Sequence, residues 1–494
     1  MSDTSPTRYR FGPLERRGLV AGWRGGQIGA VAVALVVGVG VLRASASPLG
    51  VVVALVSLAV GVAVATWPIG GRTAEQWAPD ALRHVLTLGR GSGSHPGSRS
   101  GPFNGVRLIG VDPSAGSDTT VGMPVAGIGV LHDRSRRTFT AVLRASVPGF
   151  VLLGEDDKVR HVGAWSGVLS SLARDGSEVH RLQWVERVIP GEGVLLSARP
   201  DPGAGSGDGG IGHAAARASY QALEESEADG SFGHEVLLAV SIHAGRSARA
   251  VKSAGGGDVG ACVVLLREVA ALRRRLTDAS IDMDAVLSPE MLGATLRGAY
   301  DVGAGTDPTP GEPTRSRSHS EPEPWPWPMG VAAEWGRLRA DGTWHATYCI
   351  AEWPRTDASP DFLGPLLLSS EVRRTVSVVM EPLGPIEASR KVEQARTADI
   401  ADAELRRRGG FLATARRRRE EEVLVHREVE LADGHAQYRF SGYVTVSALD
   451  PDALHEACGR VEQAAGQAGL ELRRCYGDQA NTFMCTLPLG RGLA

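Results

Sequence analysis

The sequence predicts an α+β protein: an N-terminal transmembrane helical hairpin, then cytoplasmic units of mainly antiparallel sheet packed by helices. Three observations carry this. Two uncharged apolar runs lie near the N-terminus, segments of strand and helix period follow from about residue 106, and a Pro-rich stretch divides those segments. The chain has 494 residues and a formal net charge of −3, enough length for several domains and no global pull toward nucleic acid or anionic lipid.

The apolar runs are Gly25 to Leu42, polar only at Gln27, and Leu49 to Trp67. As helices they would each cover about 27–28 Å, against a hydrocarbon core of about 30 Å. Residues 43–48, RASASP, suit a turn. Trp23 and Arg24 before the pair, Trp67 at its end and Trp77 beyond it read as membrane-interface residues. Arg8, Arg10, Arg16, Arg17 and Arg24 precede the hairpin, and Arg72, Arg83 and Arg90 follow it, against Arg43 alone in the turn. Positive-inside counting then places the protein in a bacterial cytoplasmic (inner) membrane with both termini cytoplasmic. A second reading takes residues 16–47 as a cleaved secretory signal, with Ala44-Ser45-Ala46 as the cleavage site; Arg43 and the second apolar run oppose it.

Residues 1–24 form the cytoplasmic N-terminal segment and 25–67 the hairpin. In 70–88, Ala74, Trp77, Ala78, Leu82 and Val85 recur at helical spacing, an amphipathic juxtamembrane segment; 89–105 is a flexible linker. The first α+β unit covers 106–301. Strands are expected at 137–146, 179–189 and 234–243, and helices at 155–173, 212–226 and Val259 to Leu276. Ser288-Pro289-Glu290 opens a further helix with Ser as N-cap. Residues 302–328, ending in EPEPWPWP, are a Pro-rich linker pinned by its tryptophans onto the next unit. The second α+β unit is 329–494. Its expected strands are 344–353 and 372–381, a hairpin of EVLVHREVEL and QYRFSGYVTVSAL turning at Asp433-Gly434, then LELRRCYG and NTFMCTLPL. Polar helices are expected at 385–408 and 411–422, and Asp450-Pro451 starts another that runs to about Ala468.

The chemistry is defined by what is missing. No lysine follows a glycine, so there is no Walker A loop. There is no zinc-protease H-E-x-x-H and no nucleophile elbow; the Gly163-to-Gly167 stretch has the wrong spacing for one. Gly205, Gly207 and Gly210 match G-x-G-x-x-G, but in a polar loop with no strand directly before it. Histidines are scattered, and Cys262, Cys349, Cys458, Cys475 and Cys485 form no C-x-x-C pair. The chain therefore reads as no enzyme, without catalytic, cofactor or metal residues. One charged feature remains. Arg406, Arg407, Arg408, Arg416, Arg417, Arg418 and Arg419 lie on adjoining helical segments, a possible contact for an anion or nucleic acid, or else a solvated face paired with Glu404 and Glu420 to Glu422.

The hairpin followed by Gly71-Arg72 and Trp77 resembles the PrgI-like two-helix inner-membrane proteins of type IV (conjugation-like) secretion systems. The body resembles the non-catalytic N-terminal region of conjugation ATPases, through Thr138 to Ser146 and Gly149 to Leu153. The segment Tyr476, Gly477, Asp478, Gln479, Phe483, Leu487, Pro488, Leu489 and Gly490 resembles the stretch just before that family's ATPase domain, which this sequence does not contain. The resemblance, with an arginine-for-lysine usage of actinobacterial type, implies a non-catalytic scaffold docking a separate P-loop translocation ATPase among other secretion-channel components. The alternative is a membrane-anchored protein contacting nucleic acid or anionic lipid through Arg406–Arg419; self-association stays open.

Overall fold

The computed structural model describes residues 25–44, 47–66, 103, 105–111, 127–145, 153–190, 232–301, 326–368, 372–408 and 415–493, a few single positions aside. Helices α1 (Gly25–Ala44) and α2 (Pro48–Thr66) form a pair. They approach through small residues: Ala34, Gly38, Gly50 and Ala54 are buried, and a methyl added at Gly38 would sit 3.4 Å from the Ala54 carbonyl oxygen. Bulky residues such as Val33, Val36, Leu55 and Val60 face outward and are exposed. The expected transmembrane hairpin is corrected here: among the described residues no helix is long and apolar enough to cross a membrane. Trp23, Arg24, Trp67 and Trp77 lie outside the described residues, as does the helix expected at 212–226.

The body is α+β, and its twelve described strands form one antiparallel sheet. They are β1 (Val106–Val111), β2 (Ile128–Asp133), β3 (Thr138–Ala145), β4 (Val179–Pro190), β5 (Phe232–His243), β6 (Met283–Val286), β7 (Val331–Ala333), β8 (Leu338–Ala340), β9 (Thr343–Glu352), β10 (Arg374–Leu383), β11 (Gln437–Ala448) and β12 (Glu471–Arg474). The spatial order is β1-β2-β3-β5-β4-β10-β11-β9-β8-β7, with β6 on β3 and β12 on β9. Strand β4 from before the Pro-rich stretch pairs with β10 from after it, so the sheet is continuous across both segments.

Period-2 alternation explains the layers. On one face Phe139, Ala141, Leu143, Leu182, Val240 and Ile242 meet helices α3 (Glu155–Leu172) and α5 (Gly257–Asp278); a short α4 (Ala248–Ser253) precedes α5. Farther along the same face Ala346, Tyr348, Val376, Val444 and Val446 meet α10 (Pro451–Gln467). The opposite face is covered by α6 (Pro289–Tyr300) and the C-terminal segment. Helix starts follow local chemistry: Ser288 Oγ accepts from Met291 N at 3.2 Å, and Asp450 caps α10 by accepting from Asp452 and Ala453. Trp327 is buried against Phe103, 5.5 Å between ring centres, and Tyr300 donates to the Pro326 carbonyl. Trp327 shares one core with Phe103 and Tyr300, which precede the Pro-rich stretch, and with Leu338 and Ala340, which follow it.

Two further elements differ from expectation. EVLVHREVEL is the second half of helix α9 (Ala415–Ala432), antiparallel to α8 (Pro385–Arg408), both inserted between the paired ends of β10 and β11. Its β-branched residues read as strand, but His426–Glu430 at i,i+4 and Arg396–Glu428 across the pair favour helix. Gly434 therefore ends a helix instead of turning a hairpin. Its φ is +87°, with Gly434 N donating to Leu431 O and His435 N to Glu430 O, a Schellman ending. NTFMCTLPL is not a strand either: α11 (Gln479–Phe483) is followed by an irregular strap to Leu493. A short α7 (Gly364–Leu367) completes the helices described.

Candidate functional site

The strap lies across the strands rather than beside one, so its backbone groups have no ladder partner. A buried peptide group left unpaired costs roughly 1–3 kcal/mol, and polar side chains of the sheet supply the missing partners. Gln183 on β4 donates from Nε2 to the carbonyls of Cys485 and Leu487, 2.9 Å each, and accepts at Oε1 from Gly490 N at 2.7 Å. Ser377 on β10 donates to the Cys485 carbonyl at 3.0 Å. Thr445 on β11 bridges Thr486 and Thr347 through hydroxyls at 2.9 Å. Arg491 reaches Asp133 on β2 at 2.6 Å. Burial pushes the Asp133 carboxyl up, but Ser135 and Arg491 outweigh it and hold it below the usual range.

This geometry gives the C-terminal residues singled out in the sequence their roles. Gln479 is buried between the stretches of β9 that pair with β8 and β12, where Thr347, paired with Thr445 of β11 on its other side, has no strand residue opposite it on this one. Its side-chain amide accepts from Thr347 N at 2.8 Å and donates to Thr347 O at 3.1 Å, substituting for a strand residue. Phe483, Leu487 and Leu489 are core residues, and Pro488 is buried with them. Gly490 has φ +65°, and a methyl there would meet Ser241 Oγ at 2.3 Å. Tyr476 and Gly477 hold the start of the strap, Gly477 N donating to the Trp335 carbonyl at 2.7 Å.

Near the other end of the strap, a register shift in β4 between Val179 and Arg181 sets His180 and Arg181 beside Glu381 on β10. Glu381 accepts from Arg246 and Arg439 at 2.8 Å each and from Arg181 at 3.3 Å. Arg181 also donates to the Gly490 and Leu493 carbonyls at 3.1 Å. Burial pushes Glu381 up, yet the bonds from Arg439 and Arg246, with the neighbouring positive charge, bring it down to about 2. Burial first, then Arg181, lowers His180 to about 4. His345, fully buried, is lowered to about 3 by burial. Its Nε2 donates to the Tyr300 carbonyl at 3.1 Å, so Nδ1 accepts from Ser447 at 2.8 Å and both nitrogens are occupied. These buried polar groups spend their bonding capacity on backbone and on each other. Gln183, Ser377, Thr445 and Glu381 escaped sequence reasoning; the one available signal was polar residues at alternate positions of strands otherwise rich in Val and Leu.

The arginine runs fall at the shared end of the α8–α9 pair: Arg406, Arg407 and Arg408 close α8, and Arg416, Arg417, Arg418 and Arg419 open α9. Arg408 is exposed and pairs with Glu404 at 3.0 Å; the side chains of the other six lie outside the described residues. Among the described residues no His, Cys, Asp and Glu group is placed to hold a metal. Cys262, Cys458, Cys475 and Cys485 are buried free thiols, and Cys349 is partly buried.

Residues 232–350 match the family model described as a putative type VII ESX secretion system translocon, EccE. The matched stretch supplies the central strand β5, helices α4 to α6, and strands β6 to β9, the last as far as Ile350. No curated protein matches the chain. The match corrects the resemblance to type IV conjugation-like systems, and with it the conjugation scaffold; it does not favour nucleic-acid or anionic-lipid contact through Arg406–Arg419 either. The physical reason is visible in the strap. The short motifs that carried the resemblance are a surrogate strand residue, core side chains and a tight glycine, which folding alone demands.

Proposed function

We propose that this protein is a non-catalytic, membrane-associated component of a type VII (ESX) secretion translocon. The observation that carries the reading is the family match over residues 232–350. Two features support it. The α1–α2 pair exposes Val and Leu around its outer surface, more apolar area than a freely soluble surface tolerates, which fits burial in lipid or among apolar partner segments. Gln183, Ser377, Thr445, Asp133 and Arg181 are committed to holding the strap, which suits a rigid docking body better than a reaction centre. Its partners would be other channel components, with a separate P-loop translocation ATPase among them.

The test is a crosslinking pulldown from native membranes with the full chain as bait. Recovery of type VII channel components, with or without the ATPase, is the expected result. Recovery of none above an unrelated membrane bait would reject the assignment.

A further inference from the structure

At one end of the sheet the β2–β3 turn, the turn from β5 into α4 and the start of β4 meet. Ala244 N donates to the Arg137 carbonyl at 2.9 Å, and the His180 and His243 rings stand edge to face with centres 5.4 Å apart. His243 Nδ1 accepts from Gly245 N at 3.1 Å and from Arg246 N at 3.2 Å, and His180 Nδ1 accepts from Arg246 Nη1 at 3.0 Å. An accepting Nδ1 leaves the ring proton on Nε2, so both imidazoles carry an Nε2–H, and neither Nε2 has a partner among the described residues. Burial is the main cause that lowers both histidines, His180 to about 4, so the two rings are neutral donors at neutral pH. Arg137 closes on the same place: a methyl added at Gly245 would stand 3.0 Å from His243 Cε1 and 3.5 Å from Arg137 Nη1. The geometry points to a binding site for a phosphate group, held by Arg136 and Arg137 with the two imidazole N–H groups beside them.

Charge and backbone strain both favour that ligand. Arg181 feels the charges of Arg136 and Arg439, and His243 those of Arg137, Arg246 and Arg181. Glu381 is shared by Arg181, Arg246 and Arg439, so it cancels one of these five positive charges. Other carboxylates nearby are matched by cations of their own, Asp133 by Arg491 at 2.6 Å and Glu387 by Lys391 at 2.7 Å. Asp258 approaches His132 at 3.5 Å, where Arg134 also acts. Arg136 and Arg137 are exposed, and neither guanidinium bonds a carboxylate among the described residues. The surplus suits a dianion, and N–H donors drawn from three elements suit a tetrahedral oxyanion better than a flat carboxylate. Arg137 also has φ +55°, in the left-handed region that favours glycine. The turn thus holds a strained backbone with this side chain in place. Phosphate binding by the purified chain is independent of the translocon reading.

The experiment is isothermal titration calorimetry of the full chain in mild detergent, with inorganic phosphate and, separately, short-chain dihexanoyl phosphatidic acid. Sodium chloride at matched ionic strength is the control. The expected result is saturable binding of both probes, with a rise in thermal midpoint that chloride does not reproduce. Arg137→Gly is the main variant, because glycine fits the left-handed φ and the turn can fold with it. It is expected to keep a phosphate-free midpoint close to that of the parent chain and to weaken binding at least about tenfold. Arg137→Lys keeps the charge but not the planar fork, and is expected to weaken binding by a smaller factor. Tighter binding of phosphatidic acid than of inorganic phosphate would support the site and assign it to a lipid headgroup; the reverse order would support it and assign it to a soluble anion. No saturable binding of either probe, an equal effect of chloride, or unchanged affinity in Arg137→Gly would overturn the proposal.

Discussion

Single buried residues set how this protein responds to acid. His180 and Glu381 are each less than one-tenth exposed at the side chain, 9% and 7%, and meet at 3.9 Å. His180 titrates near 4 in the fold against an ordinary 6.5, and Glu381 near 2 against 4.5. Both are depressed, so the unfolded chain binds more protons than the folded one. Their stabilisation is full above about pH 6.5 and is lost as pH falls, first through the histidine window down to about 4, then through the carboxylate window below 4.5. The histidine share is at most about 3 kcal/mol. Thermal midpoints measured from pH 7 to pH 4 are expected to fall, and His180→Gln to flatten the upper part of that fall. A parent chain whose midpoint is level across that range would contradict the role of this cluster.

Elements were legible where one period dominated. The strands around 138–145, 179–190 and 232–243, helix α5 and the capped starts of α6 and α10 stand within about two residues of their expected places. Failures came where tertiary context replaced a local signal. Val423, Val425 and Val429 favour a strand on propensity, yet the segment continues a helix whose charges pair at helical spacing. The strap looked like a strand because its apolar residues had to be buried; no local signal announces that Gln183 and Gln479 would replace a ladder. Gly434 provides a direct test of the revised reading. Its positive φ closes α9, and a side chain there would meet nothing within 4 Å, so any cost comes from the backbone alone. Gly434→Ala is expected to destabilise by about 1 kcal/mol, and Gly434→Asn by less. Denaturation midpoints would show it, with faster amide exchange in the last turn of α9. A type I′ hairpin turn would also suffer, but without exposing helical amides, so exchange confined to β11 would favour the original reading.

The whole molecule joins segments far apart in sequence. Leu182 to Arg187 on β4 pair with Met380 to Thr375 on β10, and the strap that follows β12 ties β9, β11, β10, β4 and β2 together. The polar row beneath the strap draws Thr347, Thr445 and Ser377 from after the Pro-rich stretch and Gln183 and Asp133 from before it. Neither side can keep its face covered once the other leaves: Leu487 and Leu489 would be stripped from Val142, Val185 and Leu237, with which they share a core. Exposing even two such leucines costs several kcal/mol, at roughly 1.5–3 kcal/mol each. The linker at 302–325 supplies covalent connection, and the sheet supplies the association. A chain carrying a protease site within that linker is therefore expected, after cleavage, to keep both fragments together on size-exclusion chromatography. It should also unfold in a single transition, at a midpoint only slightly below that of the uncut chain. Fragments that separate, or two transitions that follow different probes, would show that the strap and the β4–β10 pairing are too weak to unite the body.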